Sequence, residues 1–168
     1  GVNYNANNFV PFLPGSYVVE VINTITGCSS GIQIFSINEP APLTAAITTV
    51  DVTCNGDLSG SITVTATGGT APYSYTLLDA GGTTISVNNT GNFTGLPAGD
   101  YTCTIIDANA CPSYTTPLIT IVEPPQLSFS VSSTGTNCSG GSDGTATVTV
   151  SGGTLPYNYL WSDGQTTQ

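Results

Sequence analysis

The sequence predicts an all-β protein: tandem immunoglobulin-like β-sandwich repeats of 84 residues, with no helix. Three observations predict it. The chain aligns with itself without a gap at an offset of 84 positions. Its Thr-, Val- and Ile-rich runs alternate apolar with polar residues, the period of a strand with one buried face. Clusters of Gly, Pro, Asn and Asp separate those runs, and no stretch carries a helical period.

From Glu39 to Thr84 against Glu123 to Gln168, 17 of 46 positions are identical, and they fall on demanding residues. Glu39-Pro40 aligns with Glu123-Pro124, Cys54 with Cys138, Gly60 with Gly144, Gly68-Gly69-Thr70 with Gly152-Gly153-Thr154, and Pro72-Tyr73 with Pro156-Tyr157. The front of the chain aligns with the middle at the same offset: Asn8-Phe9 with Asn92-Phe93, Gly15 with Gly99, Tyr17 with Tyr101, Ile22 with Ile106 and Ile37 with Ile121. Residues 1–38 therefore read as the C-terminal half of one repeat, 41–122 as a complete repeat, and 125–168 as the N-terminal half of the next.

Within the complete repeat, the first strand is expected at Leu43–Val50 and the second at Gly60–Thr67, where Ile62, Val64 and Ala66 alternate with Ser61, Thr63 and Thr65. Tyr73–Leu78 and Thr83–Val87 follow, the latter after a Gly-Gly turn. Asp100–Asp107 alternates Tyr101, Cys103 and Ile105 with Thr102, Thr104 and Ile106, and Tyr114–Val122 is the last β-rich run. Leu96-Pro-Ala-Gly-Asp-Tyr101 reads as a tyrosine corner, a phenol capping a nearby backbone carbonyl. Trp161, aligned with Leu77, is expected as a core aromatic of the third strand.

The charge inventory bounds function. The chain has no Lys, Arg or His, ten Asp and Glu, and a formal charge of −10. A polyanion is repelled, because counterion release needs cationic side chains, so nucleic-acid binding is excluded and anionic membrane surfaces are disfavoured. No apolar run approaches the roughly 20 residues of a membrane-spanning helix, and no targeting signal is expected at either terminus. With no side-chain cation every side-chain charge pair is repulsive, so apolar burial and sheet hydrogen bonds must hold the fold. Mild acid should not weaken it.

The residues Val52-Thr-Cys-Asn-Gly56, Gly68-Gly-Thr-Ala-Pro-Tyr73, Leu96-Pro-Ala-Gly-Asp-Tyr101, Asp107-Ala-Asn-Ala-Cys111 and Ile121-Val-Glu-Pro124 together resemble the SprB repeat. That family recurs in giant surface adhesins of gliding Bacteroidota. The resemblance implies an extracellular, cell-surface location, export by the type IX secretion system, and repeats that extend an adhesive tip or themselves touch surface polysaccharide. Ala110 stands where the family usually has Gly before the second Cys, and the first half repeat shifts that Cys by one, to Cys28.

Catalysis fails on inventory, since only carboxylates and Cys are available for acid–base or nucleophilic work and the Asp residues sit beside turns. Calcium is a possible use of the carboxylates, with Glu39 and Glu123 at equivalent junctions joined by Asp107 or Asn109 from a neighbouring loop; solvated turn residues are the simpler use. Plain core packing is the expected use of Tyr73 and Tyr75, with a glycan-binding surface as the alternative.

Five Cys without His favour an oxidising compartment over zinc. Each repeat carries one Cys after its first strand (Cys54, Cys138) and one after its fifth (Cys111, and Cys28 in the first half repeat). Cys54 with Cys111 is the simple pairing. In an immunoglobulin-like path, however, those loops lie at opposite ends, roughly 25 Å apart, beyond the reach of a disulfide. The first Cys of one repeat would then meet the second Cys of the next, and both connectivities stay open. Cys103 is expected as a buried free thiol.

Neighbouring repeats are the expected partners, joined through short proline-stiffened junctions at Asn38-Glu-Pro-Ala-Pro42 and Val122-Glu-Pro-Pro-Gln126. The functional expectation is a non-enzymatic stalk or filament repeat. A carbohydrate-binding module, and a subunit that polymerises by strand complementation between its two half repeats, are the alternatives.

Overall fold

The computed structural model describes residues 11–166, which fall into two units, Gly1–Pro42 and Leu43–Gln168. All regular structure among the described residues is β.

The first unit is an antiparallel hairpin of β1 (Gly15–Ile22) and β2 (Ser29–Ile37), registered Gly15 to Ile37 and Tyr17 to Phe35. Asn23 shapes its turn: its side-chain Oδ1 accepts the N–H groups of Ile25 and Thr26 at 2.9 and 3.0 Å.

The second unit contains a complete sandwich. One sheet is β3 (Thr44–Val50), β4 (Gly60–Thr67) and β7 (Asn92–Leu96), in the order β3-β4-β7. The other runs β10-β8-β5-β6, from β5 (Ser74–Asp79), β6 (Thr84–Asn88), β8 (Gly99–Ile106) and β10 (Ile119–Ile121), with the short β9 (Tyr114–Thr115) also on β8. This is an immunoglobulin-like strand arrangement. Ile62, Val64, Phe93 and Leu96 from the first sheet meet Tyr75, Leu77, Tyr101, Cys103, Ile105, Ile119 and Ile121 from the second, with Val52 closing one end. Each fully buried aliphatic side chain in that cluster contributes about 1.5–3 kcal/mol. The period-2 pattern read at Ile62–Val64 and Tyr101–Ile105 is the inward face.

Two features differ from the sequence expectation. Asn92–Leu96 is an additional strand, and Tyr114–Val122 is broken in two. The break has a local cause. Pro117 has no N–H to offer a ladder, and the buried Thr116 pairs with Cys103 through both backbone and side chain: its N–H donates to the Cys103 carbonyl and its Oγ1 accepts the Cys103 N–H, each at 2.9 Å.

Beyond the sandwich, β11 (Ser128–Thr134) and β12 (Thr145–Ser151) form another antiparallel hairpin. Its pairs, from Ser128 with Ser151 to Thr134 with Thr145, are the β3–β4 pairs from Thr44–Thr67 to Val50–Ser61 displaced by 84 positions. The β1–β2 pairs Gly15–Ile37 and Tyr17–Phe35 are likewise the Gly99–Ile121 and Tyr101–Ile119 pairs displaced by 84. Residues 158–163, aligned with β5, form no strand and leave Trp161 only half-buried.

Candidate functional site

Antiparallel register assigns each loop of the sandwich to one of two ends. At the upper end, where β3 begins, lie Leu43, the 67–73 loop and the 107–113 turn, because Thr44 pairs with Thr67 and Ser74 with Ile106. At the lower end lie the 51–59 loop, the 97–98 turn and the exit after β10, because Val50 pairs with Ser61 and Ile121 with Gly99.

The lower end is held by the tyrosine corner and by a junction clamp. The Tyr101 hydroxyl donates to the Pro97 carbonyl at 2.9 Å, and Tyr17 repeats this with Leu13 at 2.6 Å in the first unit. Burial, then the Asp79 carboxylate, raises the Tyr101 pKa, so the phenol stays a donor. The clamp fixes the chain as it leaves the repeat. Val52 N–H donates to the Val122 carbonyl at 3.1 Å, and Val122 N–H to Asp51 Oδ1 at 2.9 Å. The loop carrying Cys54 then grips the junction itself: Gly56 N–H donates to Glu123 Oε2 at 2.7 Å, and Asn55 Nδ2 to the Pro124 carbonyl at 3.2 Å. From the far side, Gly153 N–H donates to the Pro125 carbonyl at 2.7 Å. Both neighbours of the proline pair thus hold it in place. Glu123 was read as a candidate cation ligand, and its role in the structure is that of a backbone acceptor.

At the upper end Asp107, 6 % exposed, organises the second Cys turn. Its Oδ2 accepts Thr70 N–H at 2.9 Å, and its Oδ1 accepts the N–H groups of Asn109 and Cys111, both at 3.2 Å. Asn109 Nδ2 adds a bond to Thr70 Oγ1 at 3.0 Å. The turn puts Ala110 at φ +50°, the left-handed conformation that Gly27 takes at φ +71° in the corresponding turn of the first unit. Ala110 therefore occupies a position that suits Gly.

Asp107 and Asn109 lie at the upper end and Glu123 at the lower, so one repeat does not gather them. Glu39 belongs to the first unit. Backbone N–H groups point at both Asp107 oxygens and at Glu123 Oε2. Among the described residues no three His, Cys, Asp or Glu cluster as a metal site would require.

The tyrosine pair is structural. Tyr75 is 5 % exposed and its Oη accepts the Ala66 N–H at 3.3 Å; Tyr73, half-buried, donates to the Gly68 carbonyl at 2.7 Å. Their rings meet edge to face at 6.4 Å. Plain core packing, the expected use, is what Tyr75 shows, and Tyr73 packs against the same core. Alternation places Tyr73 and Tyr75 on one face but does not say which.

The cysteines divide into two classes. Cys103 is fully buried, and burial pushes its thiol pKa up to about 11 against a smaller lowering by the Thr76 backbone. Cys28, Cys54, Cys111 and Cys138 are exposed. Cys54 lies in the lower-end loop and Cys111 in the upper-end turn, separated by the length of β8, about 25 Å at 3.3 Å per residue. One sandwich cannot bridge them.

Outside the complete sandwich, residues aligned with its core are more exposed. Leu127, Phe129, Val131, Tyr157, Tyr159 and Trp161 line a groove of about 450 Å³. Their counterparts Leu43, Ala45, Ile47, Tyr73, Tyr75 and Leu77 lie in or against the core. In the first unit Val19 and Val21 are 44 % and 66 % exposed, whereas the aligned Cys103 and Ile105 are fully buried.

No helix among the described residues is long and apolar enough to cross a membrane. Comparison with curated proteins and with solved structures finds no match. The family model described as "SprB repeat" matches twice, at residues 46–82 and 130–166, two segments that begin and end 84 positions apart. Repeats of this family occur in cell-surface adhesins and are structural, not enzymatic. The segments 46–82 and 130–166 of this chain are therefore SprB repeats.

Proposed function

We propose that the chain is a non-enzymatic stalk segment of a secreted bacterial adhesin, in which SprB repeats act as spacers and the contact with a surface is made elsewhere. The observation that carries this reading is the clamped junction, where Glu123, Pro124 and Pro125 are hydrogen-bonded to Gly56, Asn55 and Gly153 on either side. Display on a flexible tether would need none of those bonds, and a stalk needs all of them. Export by the type IX secretion system and service in gliding or attachment are part of the same proposal. A chain without Lys or Arg offers no trypsin-type cleavage site, which suits long exposure outside the cell.

Spin labels on Thr48 and Thr149, two exposed strand positions flanking the junction, test it by distance measurement. A narrow distance distribution is expected for the parent chain, and a distribution at least twice as broad for Glu123→Ala combined with Pro124→Gly and Pro125→Gly. Equal widths would overturn the stalk reading, and so would saturable binding of the parent chain on a glycan array.

A further inference from the structure

We infer that Asn55–Gly56 is a site of self-modification: Asn55 loses its side-chain amide through a succinimide, and the carboxylate left behind loosens the junction at Glu123–Pro124.

Asn55 is the only Asn in the sequence that is followed by Gly. A glycine nitrogen is the least hindered backbone nucleophile for the side-chain carbonyl carbon before it, because no Cβ crowds it. The turn itself asks only for Gly: Gly56 takes φ +77°, and a Cβ there would meet nothing within 4 Å. It does not ask for Asn, since the aligned turn carries Ser139 before Gly140, which takes φ +79°. What Asn55 adds is the bond from its Nδ2 to the Pro124 carbonyl at 3.2 Å. The two residues that hold the junction are therefore also a reactive pair.

The setting favours the reaction. Gly56 N–H donates to Glu123 Oε2 at 2.7 Å, which puts a carboxylate within proton-transfer reach of the attacking nitrogen. Asn55 and Gly56 are exposed, so water reaches the ring that forms. The Gly56 nitrogen bonds to Asn55 Cγ as its proton passes to Glu123. The Cγ–Nδ2 bond then breaks, and that proton leaves with the nitrogen as ammonia. Water opens the succinimide on either side. Cleavage at Cγ gives aspartate; cleavage at the main-chain carbonyl gives isoaspartate, with one extra carbon in the main chain, and either route returns the N–H to Gly56. Both products lack the Nδ2 donor and set a carboxylate oxygen against the Pro124 carbonyl. Both add a negative charge beside Glu123, in a sequence with no Lys, Arg or His to offset it. The bonds of Val122 to Val52 and Asp51 are untouched, so the repeat stays folded while its exit loosens.

Ageing the 168-residue chain at pH 8 and mapping its chymotryptic peptides by mass spectrometry tests the inference. The peptide holding Asn55 should gain one dalton at least tenfold faster than any peptide holding another Asn, with isoaspartate among the products. Glu123→Gln keeps an acceptor oxygen but removes the base, and should slow that gain at least threefold. Asn55→Asp, spin-labelled at Thr48 and Thr149, should show a broader distance distribution than the parent while keeping its circular dichroism spectrum. Conversion of Asn55 no faster than that of the other asparagines would overturn the inference. So would a Glu123→Gln rate equal to or above the parent's, or an Asn55→Asp distribution as narrow as the parent's. The inference rests on the bonds of the clamp and not on the stalk reading, whose own tests, the proline variant and glycan binding of the unaged chain, are unaffected by these outcomes.

Discussion

Replacing Asp107 by Ala should unfold the complete repeat at a substantially lower temperature. The side chain serves three backbone donors, and Ala serves none. Thr70 N–H is partly buried, so losing its acceptor costs about 1–3 kcal/mol, whereas Asn109 and Cys111 are exposed, recover water and lose about 0.5 kcal/mol each. The sum is about 2–4 kcal/mol, or a fall of about 10–25 °C in the melting temperature of a domain of this size. Asp107→Asn should cost less, about 1–3 kcal/mol. Asn23 already fills the corresponding place in the first unit with one amide oxygen accepting two N–H groups, so only the Thr70 bond is at stake. Thermal and urea unfolding followed by circular dichroism would measure both. An Ala variant within about 0.5 kcal/mol of the parent would refute the reasoning, and so would an Asn variant as damaged as the Ala variant.

Ala110→Gly should stabilise the repeat by about 0.5–1 kcal/mol, since φ +50° strains an L-residue and suits glycine; the urea midpoint reports it. Cys103 should resist iodoacetamide in the folded chain at pH 8 and react once it unfolds, while the four exposed thiols react at once; mass spectrometry counts the labels. The alkaline limb of stability carries the same signature. A thiol held protonated up to about pH 11 in the fold, against 9.0 as its ordinary value, favours the fold fully below pH 9, and that contribution is lost as the pH rises toward 11. Cys103→Val, the residue at the aligned position 19, should flatten that loss, leaving the smaller one from Tyr101. From pH 7 to pH 5 no loss is expected, because protonating carboxylates in a chain without Lys, Arg or His relieves repulsion; a steep fall in melting temperature by pH 5 would contradict it.

The parts of this fold that were readable from sequence are those where one residue's side chain decides the matter. Alternation at Ile62–Val64 and Tyr101–Ile105 marks the faces, and Leu96–Tyr101 marks the corner. The rest depends on groups that meet only in space. Strand β7 was hidden because Asn92, Gly95 and Pro97 are turn residues by type. Gly91 precedes it because a Cβ there would lie 2.0 Å from the Val64 carbonyl oxygen, a constraint set by a distant strand. The break before β10 needed the Thr116–Cys103 pairing. At the junction, the sequence shows the prolines, but the partners of Glu123 and Pro124 are Gly56 and Asn55, 67 and 69 positions away.

The exposed cysteines of the complete repeat lie in its end loops, away from its core. A disulfide within a sandwich whose sheets already share a closed apolar core adds stability to that repeat alone, and leaves the junction as the part that yields first. Cys54 and Cys111 sit at opposite ends of the sandwich, and the loop of Cys54 grips Glu123 and Pro124 through Gly56 and Asn55. With no cation anywhere in the sequence, no side-chain salt bridge can strengthen that contact.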